Sequence, residues 1–393
     1  MSKLEELIQK YCPDGVEWKP LGEFLSYEQP TKYLVESTKY DDSFPTPVLT
    51  AGQSFILGYT RETKGIFEAS EDNPVIIFDD FTTSFHWVEF CFKVKSSAMK
   101  MLRPIDEKKA LFRYLFYCMK NIMYVPGDHT RQWIGTYSQF DIPVPPLPVQ
   151  EEIVRILDTF TELQTELQTE LQKRLQQYNY YRDKLLSFEG RDDVEWKKLG
   201  DVGTQWYRGA GIKRDEVSEE GIPCIRYGEI HTTYSIWFDE CVSHTDESQQ
   251  PAKKYADYGD ILFAITSEDI PFIGNSVAYV GKEKILVGGD IVVMKHTQNP
   301  KYMSYALSTS DAVRQKGKGK VKSKVVHTSV PSLQEIVVPI PSLEEQEKIA
   351  TILDRFYTLT TDLSQGLPAE IEKRRQQYEY YRDKLLTFKR KEA

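Results

Sequence analysis

Between Ile153 and Tyr178 apolar side chains recur every three or four positions: Ile153, Ile156, Leu157, Phe160, Leu163, Leu167, Leu171, Leu175 and Tyr178. That spacing predicts an amphipathic helix with one apolar seam, as in a coiled-coil strand. The prolines of "PVPPLP" (Pro143–Pro148) stop any earlier helix and start this one near Val149, and Gly190 ends it. Some 36 residues at about 1.5 Å each predict a rod of about 54 Å. Inside it "TELQ" occurs three times between Thr161 and Gln172. This four-residue period sits as a near-stutter in a heptad-like pattern. A second segment of the same kind begins at "PIPSLEEQEKIATILDRF" (Pro339–Phe356) but carries Gly366 and Pro368 in its middle. Proline inside a helix costs about 3 kcal/mol, so a kink or break is expected between Ser364 and Pro368.

Elsewhere the pattern shortens. "NPVIIFDDF" (Asn73–Phe81), "WVEFCFKVK" (Trp87–Lys95), "GDILFAIT" (Gly259–Thr266), "NSVAYVG" (Asn275–Gly281) and "GGDIVVMK" (Gly288–Lys295) alternate or run apolar like strands. "EKKALFRYLFYCMKNI" (Glu107–Ile122) and "KYMSYALSTSDAVRQK" (Lys301–Lys316) read as helices. The regions between the rods are therefore expected to be α+β.

The chain repeats itself in order. "DGVEWKPLG" (Asp14–Gly22) returns as "DDVEWKKLG" (Asp192–Gly200), and "PVPPLPVQEEIVRILDTF" (Pro143–Phe160) returns as Pro339–Phe356. "QQYNYYRDKLLSF" (Gln176–Phe188) returns as "QQYEYYRDKLLTF" (Gln376–Phe388). The regions Gly22–Ile142 and Gly200–Val338 show little likeness except near their ends. Two similar amphipathic rods are natural partners, and the bulky region between them favours an antiparallel pair. The expected division is 1–142 variable, 143–190 rod, 191–338 variable, 339–393 rod. Phe388 should then lie near Asp14, as Phe188 precedes Asp192.

The 393 residues suit two or three domains, and 40% hydrophobic content is that of a folded chain. No apolar run reaches the ~18 residues of a membrane helix. The start, "MSKLEELIQKYCPDG", is charged. The five scattered cysteines form no CxxC, which suits a reduced, cytoplasmic chain and supports neither a disulfide frame nor a zinc site. The net charge is −9, and the two variable regions carry −3 and −2. DNA affinity from this chain alone is therefore expected to be modest.

No GxxxxGK[ST], HExxH, GxSxG or [DNS]PP[YFW] occurs, and the histidines lack ligand spacing. Asp79–Asp80 and Glu268–Asp269 are paired acids that could hold a metal in a nuclease, or simply cap turns. The segment "RQKGKGKVKSK" (Arg314–Lys324) carries six positive charges and no acid. If it were extended, Lys316, Lys318, Lys320, Lys322 and Lys324 would face one way and suit phosphates; the alternative is a solvated loop. At the matching place in the first half, "PGDHTRQWIG" (Pro126–Gly135) offers His129, Arg131 and Gln132, types that read base edges, or else forms a surface turn. Trp133 is expected to pack. Weaker candidates are Arg61 and Lys64, Thr82 and His86, Arg208, Arg226 and Ser267, each in a polar loop.

The order of domain, "PVPPLPVQEEIVRIL", "YYRDKLL", "DVEWKKLGD", domain, "PIPSLEEQEKIATIL" and "YYRDKLL" resembles the specificity subunit of type I restriction–modification enzymes over essentially the whole chain. "ILFAITSEDIPFIGNSVAYVG" is similar to the core of that family's target-recognition domains, although "SEDIPFIGN" departs from the usual short Gly-rich turn. The resemblance implies an α+β chain: two α/β target-recognition domains separated by two long antiparallel coiled-coil helices with a pseudo-two-fold repeat. Each domain would read one half of a bipartite asymmetric site in double-stranded DNA. The helices would dock two methyltransferase subunits, with restriction–translocation subunits further out. No cofactor would sit in this chain; S-adenosylmethionine, ATP and Mg2+ would come with the partners. The rival readings are a coiled-coil protein–protein adaptor with two binding modules and a free-standing nuclease.

Overall fold

The structure is a computed structural model that describes residues 2–52, 54–250, 252–320, 324–361 and 366–392. The chain forms two compact units, Met1–Leu167 with Ile371–Ala393, and Gln168–Glu370. Each combines helices and sheets, the α+β content expected.

In unit 1 an antiparallel sheet has the spatial order Leu25–Glu28, Met99–Pro104, Val75–Asp79, Phe85–Val88. Val75, Ile76, Ile77 and Phe78 are all fully buried, because alternate side chains enter opposite cores. Ile76 and Phe78 pack with the helix Phe112–Asn121, while Val75 and Ile77 pack with Leu49, Phe92 and Met101. Each such burial contributes about 1.5–3 kcal/mol over exposure. The second core belongs to a small sheet, Ile56–Thr60, Thr46–Leu49 and Lys93–Val94. The expected strand Trp87–Lys95 is thus split. Its start pairs in the large sheet and its end in the small one, and the chain crosses between them at exposed Glu89 and Phe90.

Unit 2 repeats this frame. Its sheet runs Gln205–Arg208, Ile291–Lys295, Ile261–Ala264, Ser276–Tyr279, with Trp237–Phe238 added in parallel at the edge. Ile261 and Phe263 face the core of the helix Pro300–Ser308, and Leu262 and Ala264 face the other core. The expected helix Lys301–Lys316 is two helices, Pro300–Ser308 and Ser310–Gly317. Thr309 divides them, and its hydroxyl accepts from Ala312 N–H as an N-cap. The expected helix Glu107–Ile122 begins only at Phe112, whose N–H is taken by the Glu107 carboxylate.

The two frames are tied to their rods by the same residues, 196 apart on the rods and 188 apart on the domain helices. Gln150 and Gln346 are fully buried. The Gln150 carboxamide takes Leu111 N–H and donates to Pro145 O; that of Gln346 takes Asn299 N–H and donates to Pro341 O. Tyr114 and Tyr302 donate to Pro143 O and Pro339 O. Asp158 accepts from Arg113 Nε (2.7 Å) and Tyr117 OH (2.5 Å). Asp354 accepts from Lys301 Nζ (2.7 Å), Tyr305 OH (2.6 Å) and Trp237 Nε1 (2.9 Å). In both units the cation also lies over a tryptophan ring, Trp87 or Trp237.

The first rod is one helix of 41 residues, Leu147–Ser187. It starts two residues before Val149, because Pro148 fits the first turn, where no N–H partner is needed. The second is Leu343–Thr361 and Leu367–Leu385, with Pro368 at the start of the latter. The expected break falls partly on Ser364, which lies outside the described residues. Within each unit the start of one rod meets the end of the other. Phe160 stacks on Tyr381 at 5.4 Å in unit 1, and Tyr181 on Phe356 at 6.0 Å in unit 2. The local pairing is antiparallel, as expected. Val16 N–H donates to Lys389 O and Lys391 N–H to Val16 O, so Phe388 does lie near Asp14. Gly15 is required there: its φ is +99°, and a Cβ would stand 2.4 Å from Lys389 O.

Candidate nucleic-acid interface

In each unit the loop after the central strand is bound to the loop before the proline-rich anchor. In unit 1 these are residues 80–84 and 123–136. Asp79 turns the chain by accepting Phe81 N–H and Thr82 N–H. Asp80 is buried, 3.3 Å from the equally buried Lys100 Nζ, and accepts Trp133 N–H at 2.9 Å. Its carbonyl accepts Gln132 N–H. A buried carboxylate is tolerable only when paired and hydrogen-bonded in this way. The paired acids are thus consumed in holding a turn, and the described residues contain no cluster of three or more metal-ligating side chains.

This fastening brings three sequence candidates together. Thr82, His129 and Arg131 are exposed on the joined loops, and the His129 ring stacks on Phe81 at 4.5 Å. Phe81 was not singled out from sequence; an aromatic inside the polar stretch "DDFTTSFHW" was its only signal. Gln132 is different. It is 2% exposed, its amide donates to Asp128 and Thr130, and its oxygen accepts from Tyr124 OH. It holds the loop rather than presenting a base-reading edge. Trp133 packs against Phe78 and Tyr137, as expected. His86 is turned to Gly52 O (2.9 Å) and stacked on Phe55, and burial pushes its imidazole below the usual value. Arg61 and Lys64 are exposed beyond the small sheet, Arg61 over the Phe44 ring. No described hydrogen bond or ring contact joins them to the His129 loop.

In unit 2 the corresponding loops are residues 265–275 and 318–329. Thr266–Ser267 pairs antiparallel with Val326–His327, and Thr328 N–H donates to Ile265 O. Lys318 and Lys324 are exposed. Lys320 Nζ donates to His327 O (2.9 Å), and Lys322 lies outside the described residues. The single extended lysine row is corrected by the structure. Residues 310–317 are helical, and Lys316 turns inward, 7% exposed, to donate to Leu307 O. The helix wins because Ala312 and the lysine stem can then be buried. Ser267 is buried and donates to Asp269 O.

Two further candidates meet at the turn Gly288–Asp290. Arg208 donates from Nε to Gly289 O and pairs through Nη2 with Asp290. Arg226 abuts Gly288, lies 4.0 Å from Glu229, and has a buried Nε with no partner among the described residues. His231 Nε2 is 3.0 Å from Thr266 O, which ties the helix Tyr227–Thr232 to the loop after the central strand.

The profile of the type I restriction modification DNA specificity domain matches residues 13–177 and again 191–373. The chain is 42% identical to the specificity subunit of the type I restriction enzyme EcoR124I/EcoR124II of Escherichia coli, over 100% of this chain and 98% of that one. It is 30% identical to a type I restriction enzyme specificity subunit of Haemophilus influenzae, over 98% of both. Its fold is similar to that of the type I restriction–modification S subunit of M. genitalium, with a TM-score of 0.53, 15% identity, and 95% of this chain and 96% of that one covered. A chain from a structure of type I restriction–modification complex assembly gives a TM-score of 0.57 at 16% identity, covering 95% and 98%. Among the described residues, no helix is long and apolar enough to cross a membrane.

Proposed function

The chain belongs to the type I restriction–modification DNA specificity family, and on that premise we propose that its two units each read one half of a split DNA site. One observation supports this above the others. The same strand-and-helix frame is built twice, with the same buried Gln and Tyr and the same half-buried Asp at the rod junction, yet the joined loops it carries are chemically unlike. A frame repeated under different loops suits a device that keeps geometry constant while changing what is recognised. In unit 1 the reading surface is the joined pair carrying Thr82, His129 and Arg131. In unit 2 it is the loop pair with Lys318 and Lys324, together with the Arg208–Arg226 turn. Phosphate contacts would fix position and the base-edge contacts would specify sequence.

The rods serve as docking sites for two methyltransferase subunits, with restriction–translocation subunits joining the assembly. S-adenosylmethionine, ATP and Mg2+ act on those partners. The acidic net charge fits a chain whose DNA affinity is completed by them. Gel shift with and without the methyltransferase partner tests the reading. One bipartite sequence should be retarded once the partner is added. A complex with the partner that never shifts DNA would point to an adaptor, and cleavage by this chain with metal alone would point to a nuclease.

A further inference from the structure

Unit 2 contains a cavity of about 490 Å³ between residues 175–182 of the first rod, the segment 230–236 and the helix Ser310–Gly317. It adjoins the loop 265–275 proposed above as part of the reading surface, sharing Asn275 with it. Three basic side chains line it, Arg182, His231 and Lys316, and no carboxylate does among the described residues. Lys316 donates to two neutral oxygens, Leu307 O at 2.8 Å and Ser276 Oγ at 3.2 Å. Burial alone pushes its ammonium down to about 7, with no neighbouring charge to hold it protonated. Arg182 is also buried, at 9% exposure, with Nε and Nη2 both on Asp183. On the same wall the Tyr178 hydroxyl is buried beside Arg182 and has no acceptor for its own proton among the described residues.

A buried cation without a counter-charge and a buried hydroxyl without an acceptor are both costly. Both deficits would be met by the same thing, an oxyanion in the cavity. We propose that this cavity binds a small molecule bearing phosphate, with Lys316, Arg182 and Tyr178 donating to its oxygens. The volume lies in the range of roughly 300–1,000 Å³ typical of small-molecule sites and exceeds what one phosphate needs. Tyr234 and Tyr357 also line it and add aromatic surface for the rest of such a ligand.

The test is isothermal titration of the full chain at neutral pH with inorganic pyrophosphate and, separately, with ATP, each in two buffers of different ionisation heat. The expected result is saturable binding at one site with more proton uptake in the parent chain than in a variant lacking the amine, because an anion beside Lys316 favours its charged form. Among the described residues the groups lining the cavity opposite that amine are Arg182, which is paired with Asp183, His231 and the tyrosines, and no carboxylate is among the lining residues. Lys316→Met should weaken binding by about ten- to a hundredfold and lower the proton uptake relative to the parent chain. Because Leu307 O and Ser276 Oγ lose a donor, the variant's circular dichroism and melting temperature are read alongside the titration. Tyr178→Phe should weaken binding while leaving the fold intact. Tighter binding of ATP than of pyrophosphate would assign the remaining volume to the nucleoside, and equal binding would assign the site to phosphate alone. Absence of saturable binding to both probes, or binding unchanged in both variants, would overturn the proposal. Displacement of a bound probe by short duplex DNA would do so too, by giving the cavity to a backbone phosphate.

Discussion

At the residue scale, what separates a reading side chain from a structural one is whether its polar atoms are already used. Arg131 is exposed beside a fastened loop, whereas Gln132 next to it is fully engaged. Arg131→Ala should therefore cost about 1–3 kcal/mol of DNA binding and relax only one half of the recognised motif. Gln132→Ala should loosen the loop and weaken binding without changing which bases are preferred. Methylation mapping of cells carrying each variant checks both, and altered preference in the other half-site would sink the assignment of unit 1. Among the described residues, Lys318 and Lys324 are the exposed cations of the second loop pair. Replacing both by Ala should weaken binding to all sequences and lower the salt slope by about 1–2. An unchanged slope would remove the loop from the interface. Lys320 is a poor probe, because it also holds His327 O.

At the element scale, the rods carry both stability and spacing. Near the start of the first rod, Glu152 is buried between Arg155 and Lys3, each at 2.7 Å. Hydrogen bonds from Arg155, and then from Lys3, hold its carboxyl down to about 2. A depressed carboxyl stabilises the fold above its unfolded value of about 4.3, and that contribution fades as pH falls toward 2. Glu152→Gln should therefore melt below the parent at neutral pH, with the two curves converging in acid. A difference that grows below pH 4 would contradict the assignment. Further along, the three TELQ units lie within the continuous helix Leu147–Ser187. One unit adds about 6 Å and about 40° of net rotation, against about 3.4 Å per base pair. Deleting or adding one should keep both half-site sequences and change the unread gap by one or two base pairs. Methylation mapping decides this, and changed half-sites with an unchanged gap would show that the rod is not the ruler.

At the scale of the whole molecule, the repeat makes the chain nearly cyclic. The C-terminal residues 389–391 bond to Val16 within unit 1, and Gly190 follows the end of the first rod with φ of +74° and open space around it. A permutant opened near Gly190, with the old termini joined, should fold and bind the same DNA site, because cuts in such exposed turns are well tolerated. Circular dichroism and gel shift with the partner check it, and an unfolded permutant would mean that the Gly190 turn is needed for more than connection.

The sequence by itself determined the rods, their repeat, the α+β character of the regions between them and the family resemblance. These depend on spacing between near neighbours, such as Leu163, Leu167 and Leu171, and spacing is written directly in the chain. It also paired the loop before each proline anchor with its counterpart. Only the tertiary structure decided which polar groups remain free. Lys316 alternates with its neighbours in sequence, yet it points inward because a helix there can bury its stem. Asp80 is a turn fastener because Lys100, a strand away, neutralises it. Trp87 and Lys93 belong to different sheets because the chain crosses over at Glu89. Arg208 and Arg226 are both brought to the turn Gly288–Asp290, which neither adjoins in sequence. For Asp80, Arg208 and Arg226 the deciding partner is distant in sequence, and a hydrogen bond or ion pair leaves no periodic trace in the segments it joins.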